Sequence, residues 1–259
     1  MEITSPRNPR LKLVRRLQKS ARARRESGLF VAEGVRLAEE ALRAGLPARF
    51  VLFVEGLSPR GLAVVEGYRA RGAEIWLLSS EAMRSVSATE TPQGILLVLP
   101  FPALPLPPKP DFALILDGVR DPGNMGTILR TAWAAAVQAV YLIGGCVDPF
   151  NPKVVRAAMG AHFHLPVRQS SPERLVGMLG GARAYLAAAG EGEPYTQADF
   201  RRPLALLIGG EADGVSEAAR RALRPSPVHI PMPGGAESLN AAVAAAVLMF
   251  EVVRQRSTG

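Results

Sequence analysis

The sequence predicts an α/β protein with two unequal domains, the larger of which contains a parallel sheet. Three observations lead to this fold class. Apolar runs of strand length alternate with helical segments along the whole chain. In the second part these runs are nearly continuous aliphatic stretches, as is typical of parallel strands covered on both faces. The proline-rich segment PFPALPLPPKP, residues 100–110, cannot form a helix or an inner strand and therefore separates two domains.

The predicted N-terminal domain, residues 1–99, is a small alternating α/β unit. It opens with a basic helix, for which Asn8 supplies a cap and Pro9 a first-turn proline. It contains no glycine-rich phosphate loop and no catalytic cluster, so we expect a binding module. The later elements are a helix at 33–45, a strand at 48–55, a helix at 62–72, a strand at 73–79, a short helix and a strand at 94–100.

The predicted C-terminal domain, residues 111–259, alternates more strictly and has the 100–110 segment as its linker. Ligands of such parallel sheets bind outside the carboxyl ends of the strands. We expect strands at 112–117, 139–145, 164–169, 182–190, 203–210 and 227–232, and helices from about 124, at 151–162, 172–180 and 216–223, and from Ser238.

The charge balance favours a polyanionic partner. The net charge is +8 and the pI is about 10.3, and 31 residues are basic, of which four are lysine. Arginine suits phosphates and base edges because its guanidinium is a planar fork of donors. Although a solvated surface helix is the alternative, the first helix carries so many cations that we predict RNA contact for Arg10, Lys12, Arg15, Arg16, Lys19, Arg22, Arg24 and Arg25.

Other function classes find no support in the composition. No apolar run approaches the length of a membrane span, and the first residues lack the apolar core of a signal peptide. The one cysteine, Cys146, fits a reducing cytoplasm, where we place the protein. The three histidines and this cysteine form no zinc-ligand pattern, so we expect no metal and no membrane partner.

Three unusual loops follow predicted strands. The first, DGVRDPGNMGTILRTA from Asp117 to Ala132, combines three glycines with Asn124 and, six residues on, Arg130. Its glycines allow a ligand to approach closely, and its helix N-terminus favours an anion. Asn124 can cap that helix or bind a ligand. The motif is neither a P-loop nor a dinucleotide-binding fingerprint.

The second loop, IGGEADGVS at 208–216, again has little bulk and carries Glu211. This carboxylate can cap the next helix, pair with a basic group or orient a ligand amine. The third loop leads from HIPMPGGAE into an alanine-rich helix, and its Ser238 can be an N-cap. The run of alanines lets that helix pack closely on the chain or on a second subunit.

Together the three loops resemble the motifs of the SPOUT class of RNA methyltransferases, in the SpoU or TrmH family that methylates ribose 2′-hydroxyls. NMGTILRTA fits the first motif throughout, GGEADG fits the second at its Gly, Glu and last Gly, and IPM with SLNAA fits the third as far as Asn240. The resemblance covers the C-terminal domain. More loosely, residues 3–42 resemble the start of the substrate-binding domain of rRNA-directed members.

The resemblance implies a SPOUT domain with a deep trefoil knot, an L30e-like N-terminal domain and a homodimer. It implies an S-adenosylmethionine-dependent RNA 2′-O-methyltransferase, with 23S rRNA as the expected substrate and guanosine as the favoured nucleotide. By motif match, Arg130 would act at the ribose, either as the base or by anchoring phosphate and stabilising the alkoxide. Asn124, Glu211 and Ser238 would complete the catalytic group, and the cofactor would lie on Gly209, Gly210, Ile230, Leu239 and Asn240.

The sequence departs from the family's motifs at three places, and other functions remain as alternatives. Gly210 stands where the family usually has Asn, Ala241-Ala242 replaces Val-Ser, and Val137 replaces a glycine after the first helix. A tRNA methyltransferase and an inactive RNA-binding protein of the same fold are alternatives. A nucleotide-dependent oxidoreductase is a third, although the dinucleotide-binding fingerprint is missing.

Overall fold

A computed structural model gives the fold and describes residues 2–3, 5, 7–211 and 213–257. The chain forms two compact units. Unit 1 holds the residues up to Ala103 together with Phe150–Phe163, and unit 2 holds Leu104–Pro149 and the residues from His164 onward. The predicted C-terminal domain includes 150–163, whereas the contacts of this segment lie in unit 1. Phe150 stacks on Phe101 there, with ring centroids 4.0 Å apart.

Unit 1 is built on a five-stranded mixed sheet in the order β1-β4-β3-β5-β2. β1 and β3 run parallel to β4, while β5 is antiparallel to both β3 and β2. The elements are β1 (Glu2–Ile3), α1 (Pro9–Lys19), α2 (Ala21–Ser27), β2 (Leu29–Glu33), α3 (Val35–Arg43), β3 (Phe50–Val54), α4 (Pro59–Ala70), β4 (Glu74–Leu78), α5 (Ser80–Val86), β5 (Ile95–Pro100) and, later in the chain, α7 (Pro152–Ala158), followed by a 3-10 turn at Ala161–Phe163.

The sheet of unit 1 is buried on both faces. Along β5, Ile95 and Leu97 belong to one apolar cluster, whereas Leu96 and Val98 belong to the other. This division follows from the strand geometry, because successive side chains point to opposite faces. A strand covered on both faces therefore appears in the sequence as an unbroken apolar run.

Two local features of unit 1 differ from the prediction. The basic helix is two helices, because Ser20 ends α1 in an extended conformation and caps α2, accepting from Ala23 N at 3.1 Å. The strand β2 was not predicted, since LFVAE merges with the amphipathic pattern of α3. Gly34 separates the two elements at φ +105°, a conformation that favours glycine.

Unit 2 contains a seven-stranded sheet in the order β10-β12-β9-β11-β6-β7-β8, with every pairing parallel. Residues 101–110 contain no helix or strand. The elements are β6 (Phe112–Asp117), α6 (Pro122–Ala134), β7 (Ala139–Ile143), β8 (Val167–Gln169), α8 (Pro172–Met178), β9 (Arg183–Ala187), β10 (Glu193–Pro194), β11 (Leu204–Gly209), α9 (Glu217–Leu223), β12 (Ser226–His229) and α10 (Ala241–Ser257).

The central strands β6 and β11 are buried almost throughout, and helices α6 and α10 pack against each other. Helices cover both faces, which explains the near-continuous apolar runs of these strands. In the part of the chain that the structure describes, no helix combines the length and apolar character needed to cross a membrane.

Candidate active site

Three loops of unit 2 border one cavity of about 500 Å³. They follow the carboxyl ends of β9, β11 and β12, which lie side by side with β6 in the sheet. All these strands are parallel, so their carboxyl ends share one edge. This large cavity has an apolar floor and a polar rim. Leu186, Ile208, Val228 and Leu248 form the floor, and Glu191, Arg220 and Glu237 stand at the rim.

The structure brings all the predicted cofactor residues to this cavity. Gly209, Gly210, Ile230, Leu239 and Asn240 line it, and so do Glu211 and Ser238 from the predicted catalytic group. The rim residues Glu191 and Arg220, which pair at 3.7 Å, were not predicted. They lie outside the three motifs, and the only signal for Glu191 was its position between Gly190 and Gly192, just after a strand.

One amide network joins the three motif loops. Asn124 Nδ2 donates to Glu211 Oε1 at 2.6 Å, and Asn240 Nδ2 donates to the same oxygen at 2.7 Å. Asn240 Nδ2 also lies 3.0 Å from Asn124 Oδ1, which accepts from it. Each side chain comes from a different loop, so the network fixes the loops against one another beside the large cavity.

The caps of two helices are not the predicted ones. Asp121, not Asn124, caps α6, since Asp121 Oδ1 accepts from Asn124 N at 2.7 Å. The Asn124 side chain is therefore available to Glu211. Helix α10 begins at Ala241 rather than Ser238, and Asn240 Oδ1 caps it by accepting from Ala242 N at 2.9 Å. Ser238 lies in the loop that lines the cavity.

Asp117, which the sequence analysis did not select, ties two of the loops together. It ends β6 with only 2% of its surface exposed. Its Oδ2 accepts from Ser216 N at 2.8 Å and from Ser216 Oγ at 2.7 Å, and its backbone oxygen accepts from Gly210 N at 2.8 Å. An acidic residue at the end of a wholly apolar strand was the available signal.

The close approach of the second loop to the first explains why residue 210 is a glycine. A Cβ atom at Gly210 would lie 2.4 Å from the backbone oxygen of Gly118, and one at Gly209 would lie 2.4 Å from the backbone of Gly214. Neither position has room for a side chain in this structure. The departure from the family's usual Asn at 210 is therefore accommodated by backbone contact between the first and second loops.

Arg130 is exposed and lies apart from the network. Six helical residues place it about 120° around the axis from Asn124 and about 9 Å further along. It is absent from the lining of the large cavity, and its side chain forms no ion pair or hydrogen bond within the residues that the structure describes. One copy of the chain thus assembles Asn124, Glu211 and Ser238 without Arg130.

The basic helices of unit 1 present some of the predicted RNA-binding cations. Lys12, Arg16 and Lys19 are exposed on one face of α1, at spacings of four and three residues, and Arg25 is exposed on α2. The other four are engaged within unit 1. Arg10 pairs with Glu74 and stacks on Trp76, Arg15 binds Ser85, Arg22 pairs with Glu26, and Arg24 donates to the backbone oxygens of Leu17 and Gln18.

For Arg24 the prediction of RNA contact is wrong, because only 2% of its surface is exposed. Its guanidinium satisfies carbonyl groups at the C-terminal end of α1, where cations are favourable. Sequence alone does not separate this structural arginine from its exposed neighbours, since all of them lie in one basic run.

Near the motif loops, burial raises the pKa of the Cys146 thiol, which donates to the backbone oxygens of Leu116 and Ile143. It therefore stays protonated at neutral pH and behaves as a structural residue. Within the described ranges, histidine, cysteine and acidic side chains form no group suited to a metal ion.

Comparison with known proteins agrees with this geometry. The model of the SpoU rRNA Methylase family matches residues 111–250, and that of the MRM3-like substrate binding domain matches residues 8–97. The chain is 36% identical to the 23S rRNA (guanosine(2553)-2′-O)-methyltransferase RlmP of Bacillus subtilis, over 97% of this chain and 98% of that protein.

A second relative, the 23S rRNA (uridine(2479)-2′-O)-methyltransferase of Streptomyces viridochromogenes, is 34% identical over 99% of this chain and 93% of its own length. Among solved structures, the AdoMet-bound rRNA methyltransferase of Sinorhizobium meliloti superposes with a TM-score of 0.84. Its sequence identity is 30%, and the match covers 98% of this chain and 97% of that chain.

Proposed function

The chain belongs to the SpoU rRNA methylase family of RNA 2′-O-methyltransferases, and from that premise we propose that it methylates a ribose 2′-hydroxyl of 23S rRNA. The observation that carries this proposal is the Asn124–Glu211–Asn240 network beside the large cavity. Guanosine is the favoured nucleotide, because the Bacillus subtilis relative is named for a guanosine. The Streptomyces relative is named for a uridine, so the relatives of this chain differ in the nucleotide for which they are named.

The large cavity suits S-adenosylmethionine. Its volume of about 500 Å³ falls within the usual range for small-molecule sites, and it combines an apolar floor with a few polar groups. The carboxylates of Glu191, Glu211 and Glu237 at its edge can accept from ribose hydroxyls or face the positive charge of an amine or a sulfonium. When bound, the cofactor supplies a methyl group on sulfonium, which is a reactive electrophile.

In this proposal the protein's own groups position the acceptor and manage its charge. A ribose 2′-hydroxyl is a weak nucleophile, so orientation and stabilisation of the developing oxyanion supply most of the catalysis. Asn124 and Asn240 hold Glu211 in one orientation, and Ser238 lines the same cavity. Arg130 binds the neighbouring phosphate and stabilises the oxyanion, because a guanidinium offers a planar fork of hydrogen-bond donors.

The exposed cations Lys12, Arg16, Lys19 and Arg25 form the RNA footprint of unit 1. The protein acts as a homodimer in the cytoplasm. Val243 and Phe250, seven residues apart on α10, are each 49% exposed and offer apolar surface for a second copy. The SPOUT domain is proposed to contain the trefoil knot.

Transfer of labelled methyl from S-adenosylmethionine to separated rRNA and tRNA tests the proposal directly. We expect label in 23S rRNA and, after nuclease digestion, in a 2′-O-methylated nucleoside. Label in tRNA alone would favour the tRNA enzyme. Binding of both the cofactor and RNA without any transfer would favour an inactive RNA-binding protein.

A further inference from the structure

A second, smaller cavity adjoins the amide network. Its volume is about 150 Å³, and it is bordered by the first loop, by Asn124 and by the second loop. Gly210, Glu211 and Ala241 line both cavities, so the two cavities adjoin at these residues. The volume corresponds to about five water molecules, which is the scale of a sugar rather than of a whole nucleoside.

Glu211, which lines both cavities, presents a free acceptor atom. Glu211 Oε1 already accepts from Asn124 and Asn240. Within the described residues, Glu211 Oε2 forms no hydrogen bond, so it is available to accept from a ligand hydroxyl. A ribose hydroxyl is such a donor.

Arg120 is the only cation among the described residues that line the small cavity, and it is held by an acidic neighbour. Arg120 Nη2 lies 3.2 Å from Asp213 Oδ2, and both side chains are about 70% exposed. An exposed pair of this kind is weak. Of the other two carboxylates that line this cavity, Asp121 is used as the cap of α6, and Glu211 accepts from Asn124 and Asn240. Asp213 is therefore the group that competes with an incoming anion for Arg120.

A nucleotide carries the two complementary groups, a hydroxyl donor on its ribose and an anionic phosphodiester on the adjacent carbon. We propose that the small cavity binds the acceptor nucleotide, with its ribose at Glu211 and its phosphodiester on Arg120, displacing Asp213. This inference rests on the proposed function, because it names the site of the RNA acceptor. It assigns Arg120 and Asp213 opposite effects on RNA affinity.

The test measures the KM for a 23S rRNA transcript and the Kd for S-adenosylmethionine in Arg120→Ala, Arg120→Lys and Asp213→Asn. Losing a charged hydrogen bond should raise the RNA KM of Arg120→Ala about tenfold. Arg120→Lys should lie between Arg120→Ala and the unchanged protein, because it keeps the charge and loses the fork. Asp213→Asn should lower the RNA KM about threefold, since the competing carboxylate is gone.

The cofactor Kd should change less than twofold in all three variants. Asp213→Asn should have no effect in the Arg120→Ala background, because it acts by releasing Arg120. Arg174→Ala removes an exposed cation of α8, away from both cavities, and should leave all parameters unchanged. Melting temperatures identify any variant that fails to fold. If Arg120→Ala is such a variant, Arg120→Lys is compared with the unchanged protein instead.

An increase in RNA KM for Asp213→Asn, or a change in cofactor Kd rather than RNA KM for Arg120→Ala, would overturn the assignment. If the unchanged protein transfers no methyl group to RNA, the proposed function fails instead. The two failures are distinguishable, because only the first is seen in preparations where the unchanged protein is active.

Discussion

At the scale of single residues, Asn240 has two structural roles, one for each polar atom of its side-chain amide. Its Oδ1 caps α10, while its Nδ2 binds Glu211 and Asn124. Asn is one of the few side chains that can accept from a helix N-terminus and donate to a carboxylate at once. The same residue therefore sets where α10 begins and how the three loops meet.

Asn240→Ala should lose both functions. The lost cap costs about 1 kcal/mol of unfolding free energy, and the loosened Glu211 should weaken cofactor binding about tenfold. Calorimetric titration with S-adenosylmethionine and thermal unfolding measure the two effects. Asn151→Ala is the matched control, because Asn151 Oδ1 caps α7 in unit 1 by accepting from Lys153 N at 2.9 Å. It should lose similar stability but keep cofactor affinity, and equal cofactor loss in both variants would contradict a specific role for Asn240.

Ala136 is a strained residue at the end of α6. Its φ of +57° lies in the left-handed region, and the next residue, Val137, replaces a glycine often found at the end of this helix in the family. Ala136→Gly should therefore raise the unfolding free energy by about 0.5–1 kcal/mol, since a left-handed alanine costs about 1–2 kcal/mol. Ala134→Gly, in the last turn of α6, should lower it, because glycine is a poor helix former. Urea unfolding measures both changes. If both variants are stabilised, the effect is not specific to the left-handed position, and Ala136 is not strained.

At the scale of elements, Asp117 connects β6, the second loop and the start of α9. Its carboxylate is buried, and its partners are the N–H and hydroxyl of Ser216, the cap of α9. No cation contributes a hydrogen bond to this carboxylate within the described residues. The buried charge is therefore stabilised by the N–H and hydroxyl of Ser216. The arrangement holds Gly210 close to Gly118 and thereby places Glu211 next to Asn124.

Asp117→Ala should reduce the unfolding free energy by about 2–4 kcal/mol, because it leaves buried donors unsatisfied and creates a small void. Asp199→Ala removes a carboxylate from an exposed pair with Arg201 and should cost less than about 1 kcal/mol. Denaturant unfolding of both variants checks the contrast. If Asp117→Ala loses no more unfolding free energy than Asp199→Ala, the hydrogen bonds between Asp117 and Ser216 do not stabilise the fold.

Element by element, the sequence predicted most of what depends on local pattern. The strands and helices of unit 2 follow from buried apolar runs and their spacing, and the comparisons confirm the family, the fold class, the enzyme class and S-adenosylmethionine as cofactor. Helices α6 and α10 begin at other residues than predicted, because their caps are Asp121 and Asn240 rather than Asn124 and Ser238. The strand β2 and the buried state of Arg24 depend on tertiary contacts, which no local pattern contains.

At the scale of the whole molecule, the net charge of +8 should make RNA binding strongly dependent on salt. Replacing Lys12, Arg16 and Lys19 by Gln should make the negative slope of log K against log salt shallower by about 2, if each contacts one phosphate of a single strand. Arg174, Arg202 and Arg221 are exposed cations of unit 2, and their triple replacement by Gln changes the net charge equally. Filter binding should give that control the original slope, and an equal change of slope in both triple variants would indicate a general charge effect.

Arg130 lies apart from the amide network of its own chain. Arg130 borders neither cavity of its own copy in the described ranges, and the proposed homodimer offers a second copy from which it can act. We expect Arg130→Ala to be nearly inactive and Asn240→Ala to keep about a tenth of the activity at cofactor concentrations below its Kd, because each removes one half of a shared site. After the two are mixed and allowed to exchange subunits, half of the dimers are mixed, and each has one complete site. Activity should therefore return to about a quarter of that of the unchanged protein. Methyl transfer to rRNA before and after mixing measures this, with light scattering to establish the dimer. If no activity returns although mixed dimers form, Arg130 serves the cavity of its own chain.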